Sequence, residues 1–139
     1  MSSDPNCIFC KILRGEMGAV KVHEDQDTLS FMDVMPQSPG HCLIIPKRHA
    51  ATIHEVSADE AAILIRATRR IAQAVSAALK PDGVGLYQFN GSAAGQTVFH
   101  VHFHVIPRHT GDELALHARN MVDKSVLQPF ADKIAAALS

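Results

Sequence analysis

HVHFHV, residues 100–105, sets three histidines alternately with Val101, Phe103 and Val105. Alternation of this kind is the mark of a half-buried β-strand, whose successive side chains point to opposite faces. A strand over 98–106 would put Phe99, Val101, Phe103 and Val105 in a core row. His100, His102 and His104 would form the opposite row, about 13 Å from first to last, facing water, a ligand or another layer.

Three chemistries compete for that histidine row. One is a polar outer face, although no Lys, Thr or Glu is mixed into it. A second is a metal site, since His-x-His can offer two rings to one ion. Catalytic zinc, however, usually takes a third ligand and a nearby activating carboxylate, and this strand holds no Asp or Glu. The third is a nucleophile with helpers. Neutral imidazole, with a pKa near 6.5, keeps a lone pair at neutral pH. It attacks phosphorus and leaves again, splitting one displacement into two easier steps. Such a ring must have one nitrogen bare and the other N–H held. The preceding loop, NGSAAGQ (90–96), suits an anion. Gly91, Ala93, Ala94 and Gly95 let backbone N–H groups approach closely, and Gln96 and Thr97 add side-chain donors.

Working outward, the patterning predicts an α+β layer fold with an antiparallel sheet. CIFCKILRG (7–15) reads as a short helix stopped by Gly15. Strand-like runs follow at 20–24, 28–34 and 40–46, joined by turn-rich EDQD and MPQSPG. Ser57 and Glu60 form a capping box. Leu64, Ile71, Val75 and Ala78 then recur at helical spacing until Pro81 and Gly83. A fourth strand is expected over 85–90 and a short terminal helix over 130–138.

The bulk numbers fit one domain over residues 1–139. Hydrophobic residues make up 47% and charged residues 19%, and the net charge is −1. That balance gives no polybasic footprint for nucleic acid or an anionic membrane. No signal-peptide pattern opens the chain, and no apolar run is long enough to span a bilayer. Three cysteines without a secretory context suggest a reduced, cytoplasmic protein. Cys7-x-x-Cys10 leaves three readings open: a redox pair, which lacks the preceding strand it needs; two small apolar residues on a helix; or half of a tetrahedral zinc site. Cys42 reads as a small core residue, and His23, His54, His109 and His117 as surface histidines.

NGSAAGQTVFHVHFHVIPR (90–108) resembles the signature of the histidine triad (HIT) superfamily, His-φ-His-φ-His-φ-φ with φ apolar. CIFCKILRGE, FMDVMPQSPGHCLIIPKRH and the long helix extend the likeness to its Hint-like branch, over residues 7 to about 108. The remaining 109–139 form a C-terminal extension.

The resemblance implies a nucleotide hydrolase or transferase with no organic cofactor, and a homodimer whose sheets join into one. The middle histidine, here His102, would attack the α-phosphorus and form a nucleotidyl-histidine. The carbonyl of His100 would hold its N–H, His104 would contact phosphate or leaving group, and His41 would be the upstream active-site histidine. Asp33 would bind the ribose, with Val34 beside it. Ile8, Phe9, Ile12 and Phe31 would clamp a purine base, and Gly95, Gln96 and Thr97 would contact phosphate. The family's usual Asn two residues before the loop glycine is Phe89 here, so Asn90 is the remaining candidate for that contact. Members with this CxxC imply a structural zinc on Cys7, Cys10, His49 and His100. The leading substrate class is a purine nucleoside phosphoramidate. Alternatives are a dinucleoside polyphosphate, a nucleotide-binding scaffold with vestigial catalysis, or a zinc-binding interaction protein.

Overall fold

The computed structural model describes residues 3–114 and 120–139; the expected surface position of His117 lies outside them. In chain order the regular elements are α1 (Ile8–Leu13), β1 (Lys21–Glu24), β2 (Thr28–Met32), β3 (Cys42–Pro46), α2 (Ala58–Leu79), β4 (Gly83–Tyr87), β5 (Phe103–Arg108) and α3 (Lys124–Ala136). Single 3₁₀ turns occur at Ile53–Glu55 and Ser92–Ala94. The strands form one antiparallel sheet in the order β1-β2-β3-β5-β4.

Both faces of the central strands are covered, which is why β2 and β3 are apolar nearly throughout. On one face Met32, Cys42, Ile44 and Val105 meet Leu64, Ile71 and Val75 of α2 and Leu127, Ala131 and Ile134 of α3. On the other, Leu29, Phe31, Leu43 and Ile45 meet Phe9, Cys10 and Ile12 of α1. Burying each of these larger side chains contributes about 1.5–3 kcal/mol.

The long helix begins as its sequence predicts. Ser57 accepts the Glu60 N–H and Glu60 accepts the Ser57 N–H. It ends with Lys80 in the left-handed conformation, its N–H on the Ser76 carbonyl, directly before Pro81. Gly40, at φ +97, lies where a Cβ would collide with Leu79. Only glycine fits the turn that delivers His41 into β3.

Three expectations need correction. The strand over 98–106 forms only from Phe103: the Val101 N–H bonds the Ala50 carbonyl at 2.7 Å instead of a ladder partner. The predicted two rows therefore break up. Val101 and Val105 are fully buried, but Phe99 is 45% exposed, while His100 and His102 are buried. The fourth strand runs over Gly83–Tyr87, so Phe89 and Asn90 lie beyond it. The terminal helix starts at Lys124, where Asp123 caps it by accepting the Ser125 N–H. Pro129 is held inside that helix, with Leu127 and Ile134 anchored in the core.

Candidate active site and candidate metal centre

A cavity of about 360 Å³ opens between α1, the ends of β2 and β3, and the loop before β5. It is lined by Ile8, Phe9, Ile12 and Phe31 on its apolar side, by Asp33 and Val34 at the end of β2, by Gly95 and Thr97 of the loop, and by His41, His102 and His104. Eleven residues expected at the site from the sequence thus share one cavity.

The histidines are ordered by their hydrogen bonds. His102 Nδ1 is 2.7 Å from the His100 carbonyl. A carbonyl only accepts, so Nδ1 carries the proton and Nε2 keeps its lone pair. Burial lowers the pKa of His102, against the upward pull of that carbonyl, so the ring stays neutral. Phe9 packs edge-on against it, with centroids 5.2 Å apart.

His41 is fixed in the opposite sense. Its Nδ1 accepts the Gln37 N–H at 3.1 Å, which puts its proton on Nε2, 3.0 Å from His104 Nδ1. His104 Nδ1 is then the acceptor, and the proton of a neutral His104 ring sits on Nε2. Burial above all, with His104, Arg108 and His102 nearby, pushes the His41 pKa down to about 3. Asp33 Oδ2 stands 3.5 Å from His41 Nε2 and its Oδ1 accepts the Met35 N–H at 2.8 Å. Burial raises the Asp33 pKa.

Asp33, His41 and His104 lie close enough together to suggest a metal site. The hydrogen bonding argues otherwise. An ion would need the bare lone pair of His41 Nε2, and that atom carries the proton because Nδ1 already accepts from Gln37. These groups form a proton-bearing chain.

His100 faces away from the cavity. Its Nε2–H donates to the Pro46 carbonyl at 2.9 Å, leaving Nδ1 bare. That nitrogen is 3.5 Å from both Cys7 Sγ and Cys10 Sγ and 3.3 Å from His49 Nδ1; Cys10 Sγ is 3.4 Å from His49 Nδ1. Ligands about 2.0–2.3 Å from a tetrahedral zinc stand about 3.3–3.8 Å apart, so the donor set fits that ion. Its outer contacts fit as well: the second nitrogen of His100 is held by a carbonyl, and that of His49 lies 3.9 Å from Asp4 Oδ2. Cys42 is separate. It is fully buried and burial pushes its thiol up to about 12.

Two expected contacts are not brought to the cavity. Asn90 Oδ1 accepts the Ile53 N–H at 2.8 Å, and its amide pairs with Gln88. The Gln96 side chain accepts the Gly91 N–H and donates to the carbonyls of Ala51 and Val98. It braces the loop from within. Phe89, at the usually polar position, stacks on Tyr87 and lies 5.6 Å from the His104 ring. Sequence reasoning missed Gln37, which lines the cavity and sets the His41 tautomer through its backbone. A main-chain N–H leaves no trace in residue type. His23 leans on Arg70 at 2.9 Å, and His54 and His109 are exposed, as surface histidines should be.

The HIT domain profile matches residues 14–111. An adenosine 5′-monophosphoramidase of Schizosaccharomyces pombe is 42% identical over 103 residues, 74% of each chain. Among solved structures, a HIT-like protein of Bartonella henselae superposes with a TM-score of 0.92 at 42% identity, covering 99% of this chain and 100% of that one. A zinc-bound histidine triad protein of Mycobacterium smegmatis superposes with a TM-score of 0.83 at 34% identity, covering 95% and 92%.

Proposed function

Because the chain belongs to the HIT domain family, we propose that it hydrolyses a purine nucleoside phosphoramidate at the α-phosphorus through a covalent nucleotidyl-histidine on His102. The observation that carries this reading is the 2.7 Å contact from His102 Nδ1 to the His100 carbonyl, which leaves Nε2 as the nucleophile beside the cavity. The base lies against Ile8, Phe9, Ile12 and Phe31, and Asp33 takes the ribose hydroxyls. Gly95 and Thr97 face the phosphate.

In the first step His102 Nε2 forms a bond to phosphorus and the bond from phosphorus to the amine breaks. The amine takes the Nε2 proton of His104. Water then attacks phosphorus, returns a proton to His104, and the bond to His102 breaks. The nucleoside monophosphate leaves and both rings are restored. His41 keeps His104 in the donating tautomer. The S. pombe relative, a phosphoramidase by name, supports this substrate class.

Cys7, Cys10, His49 and His100 hold a structural zinc in this reading, consistent with their spacing and with the zinc-bound relative. When bound, zinc supplies a rigid four-way tie and no chemistry at phosphorus. Pairing of two copies along β4 completes a homodimer: β4 is an edge strand with Leu86 46% exposed, and Ile65 on α2 is exposed to the same degree. Three cysteines without a disulfide suit a cytoplasmic protein. No helix among the described residues is long and apolar enough to cross a membrane.

The test is rapid mixing with adenosine 5′-phosphoramidate, followed by intact mass spectrometry and an assay of free AMP. Wild type should show a transient AMP-sized adduct and release AMP, and His102→Ala should show neither. Equal AMP release by both proteins would overturn the assignment of the nucleophile.

A further inference from the structure

The metal-binding group and the nucleotide cavity share their walls. α1 has six residues, too few to hold a helix by itself, yet it carries Ile8, Phe9 and Ile12 of the base-binding side. Cys7 and Cys10 bracket its first turn, with the Cys7 sulfur accepting the Cys10 N–H. The other two ligands come from segments that meet at the active site. After His49, the Ala50 carbonyl takes the Val101 N–H and the Ala51 carbonyl takes the Gln96 amide, both at 2.7 Å. His100 offers its ring to the sulfurs and its carbonyl to His102. Phe9 touches both rings, with centroids 5.9 Å from His100 and 5.2 Å from His102.

We propose that the Cys7–Cys10–His49–His100 centre is a positioning element of the nucleotide site: an ion there holds α1 against the base and the His100 carbonyl against His102 Nδ1, so that nucleotide affinity and the tautomer of the nucleophile both depend on a loaded centre. This rests on the proposed nucleotide site and zinc set. Without an ion, the four groups are tied only by weak thiol contacts and one ring-to-ring contact. α1 then has only the packing of Phe9, Cys10 and Ile12 to keep it in place, and the 98–102 segment, which lacks a ladder, keeps the His100 bond to the Pro46 carbonyl but loses the tie of that ring to α1. Cys7, Cys10 and His49 are therefore positioning residues that never touch substrate.

The experiment compares the full chain with His49→Ala and with His49→Cys, which restores a Cys₃His zinc set. Three quantities are read: zinc content, AMP affinity by calorimetry, and the His102 ring tautomer by ¹⁵N-resolved NMR. His49→Ala should lose zinc, bind AMP roughly tenfold or more weakly, and show a mixed His102 tautomer. His49→Cys should recover all three. If His49→Ala does not fold, wild type stripped by chelator and reloaded with zinc provides the same comparison. Loss of zinc with unchanged AMP affinity and an unchanged His102 spectrum would overturn the proposal and leave the nucleotide reading standing. Zinc-free wild type that binds AMP with His102 in a single tautomer would also overturn it. Zinc-loaded wild type that does not bind AMP would overturn the nucleotide reading and the proposal with it.

Discussion

Acidification should destabilise this protein through its buried histidines, and through His41 most of all. The residue is 1% exposed. Its Nδ1 already accepts the Gln37 N–H, so a second proton would set two donors face to face. Burial, followed by His104, Arg108 and His102, takes its pKa from 6.5 to about 3. Below pH 6.5 the unfolded chain binds a proton there that the folded chain refuses, and stability falls as pH falls. The loss levels off only near pH 3. Each unit is about 1.36 kcal/mol, and pH 5.0 lies 1.5 units below 6.5, so wild type should lose about 2 kcal/mol through His41 between pH 7.5 and 5.0. The assay is urea unfolding of wild type and His41→Gln at pH 7.5, 6.0 and 5.0, at one protein concentration. His100 and any bound ion act alike in both proteins; His104 touches His41 and His102 lies near it, so the difference reads residue 41 together with its coupling to those two rings. Wild type should lose about 2 kcal/mol more than the variant over that range. A difference that stays constant with pH would refute the reasoning, because it would mean that His41 titrates alike in folded and unfolded chains.

Two further substitutions test local structure. Ser57→Ala removes one half of the capping box on α2 and should cost about 1 kcal/mol, seen as a melting temperature lower by about 2–4 °C; no change would mean that the Glu60 contacts to Arg48 hold the helix start alone. Gln96→Leu removes three hydrogen bonds from a buried side chain. It should lower stability in urea by about 2–3 kcal/mol and weaken AMP binding by loosening the loop at Gly95 and Thr97; an unaltered AMP affinity would separate loop bracing from ligand binding.

The parts legible in the sequence were those where periodicity and packing agree. The start of α2 could be read to the residue because Ser57, Glu60 and the Leu64–Ile71–Val75 stripe give independent signals for the same element. β2 and β3 were legible as apolar runs between turns. The HVHFHV alternation was misleading for its first half. Residues 98–102 alternate like a strand but are held by the Ala50 carbonyl, which takes the Val101 N–H, and by the Gln96 amide on the Val98 carbonyl, an arrangement that no local pattern encodes. The start of α3 was hidden by Pro129, which reads as a helix breaker although Leu127 and Ile134 fasten both sides of it. Within the site, residue types marked His41, His102 and His104 because their chemistry resides in side chains. They could not mark Gln37, whose contribution to His41 is a backbone N–H. Nor do residue types show that the side chains of Gln96 and Asn90 are engaged by the protein itself, Gln96 on main-chain groups of Ala51, Gly91 and Val98 and Asn90 on Ile53 and Gln88.

His100 gives two different atoms to two neighbours: ring nitrogen to the sulfurs and main-chain oxygen to His102. Only the first depends on its being histidine. Any residue at position 100 brings a carbonyl, so side-chain replacement probes the ion's tie and leaves the nucleophile's acceptor chemically intact. The carbonyl itself would yield only to a backbone change, such as an ester in place of the 100–101 amide, which weakens the carbonyl as an acceptor. That ester would also delete the Val101 N–H to Ala50, so the Ala50 contact would need its own control. One histidine thus carries two contacts, the ion's through its side chain and the nucleophile's through the chain itself, and in the proposed coupling the first sets where the second stands.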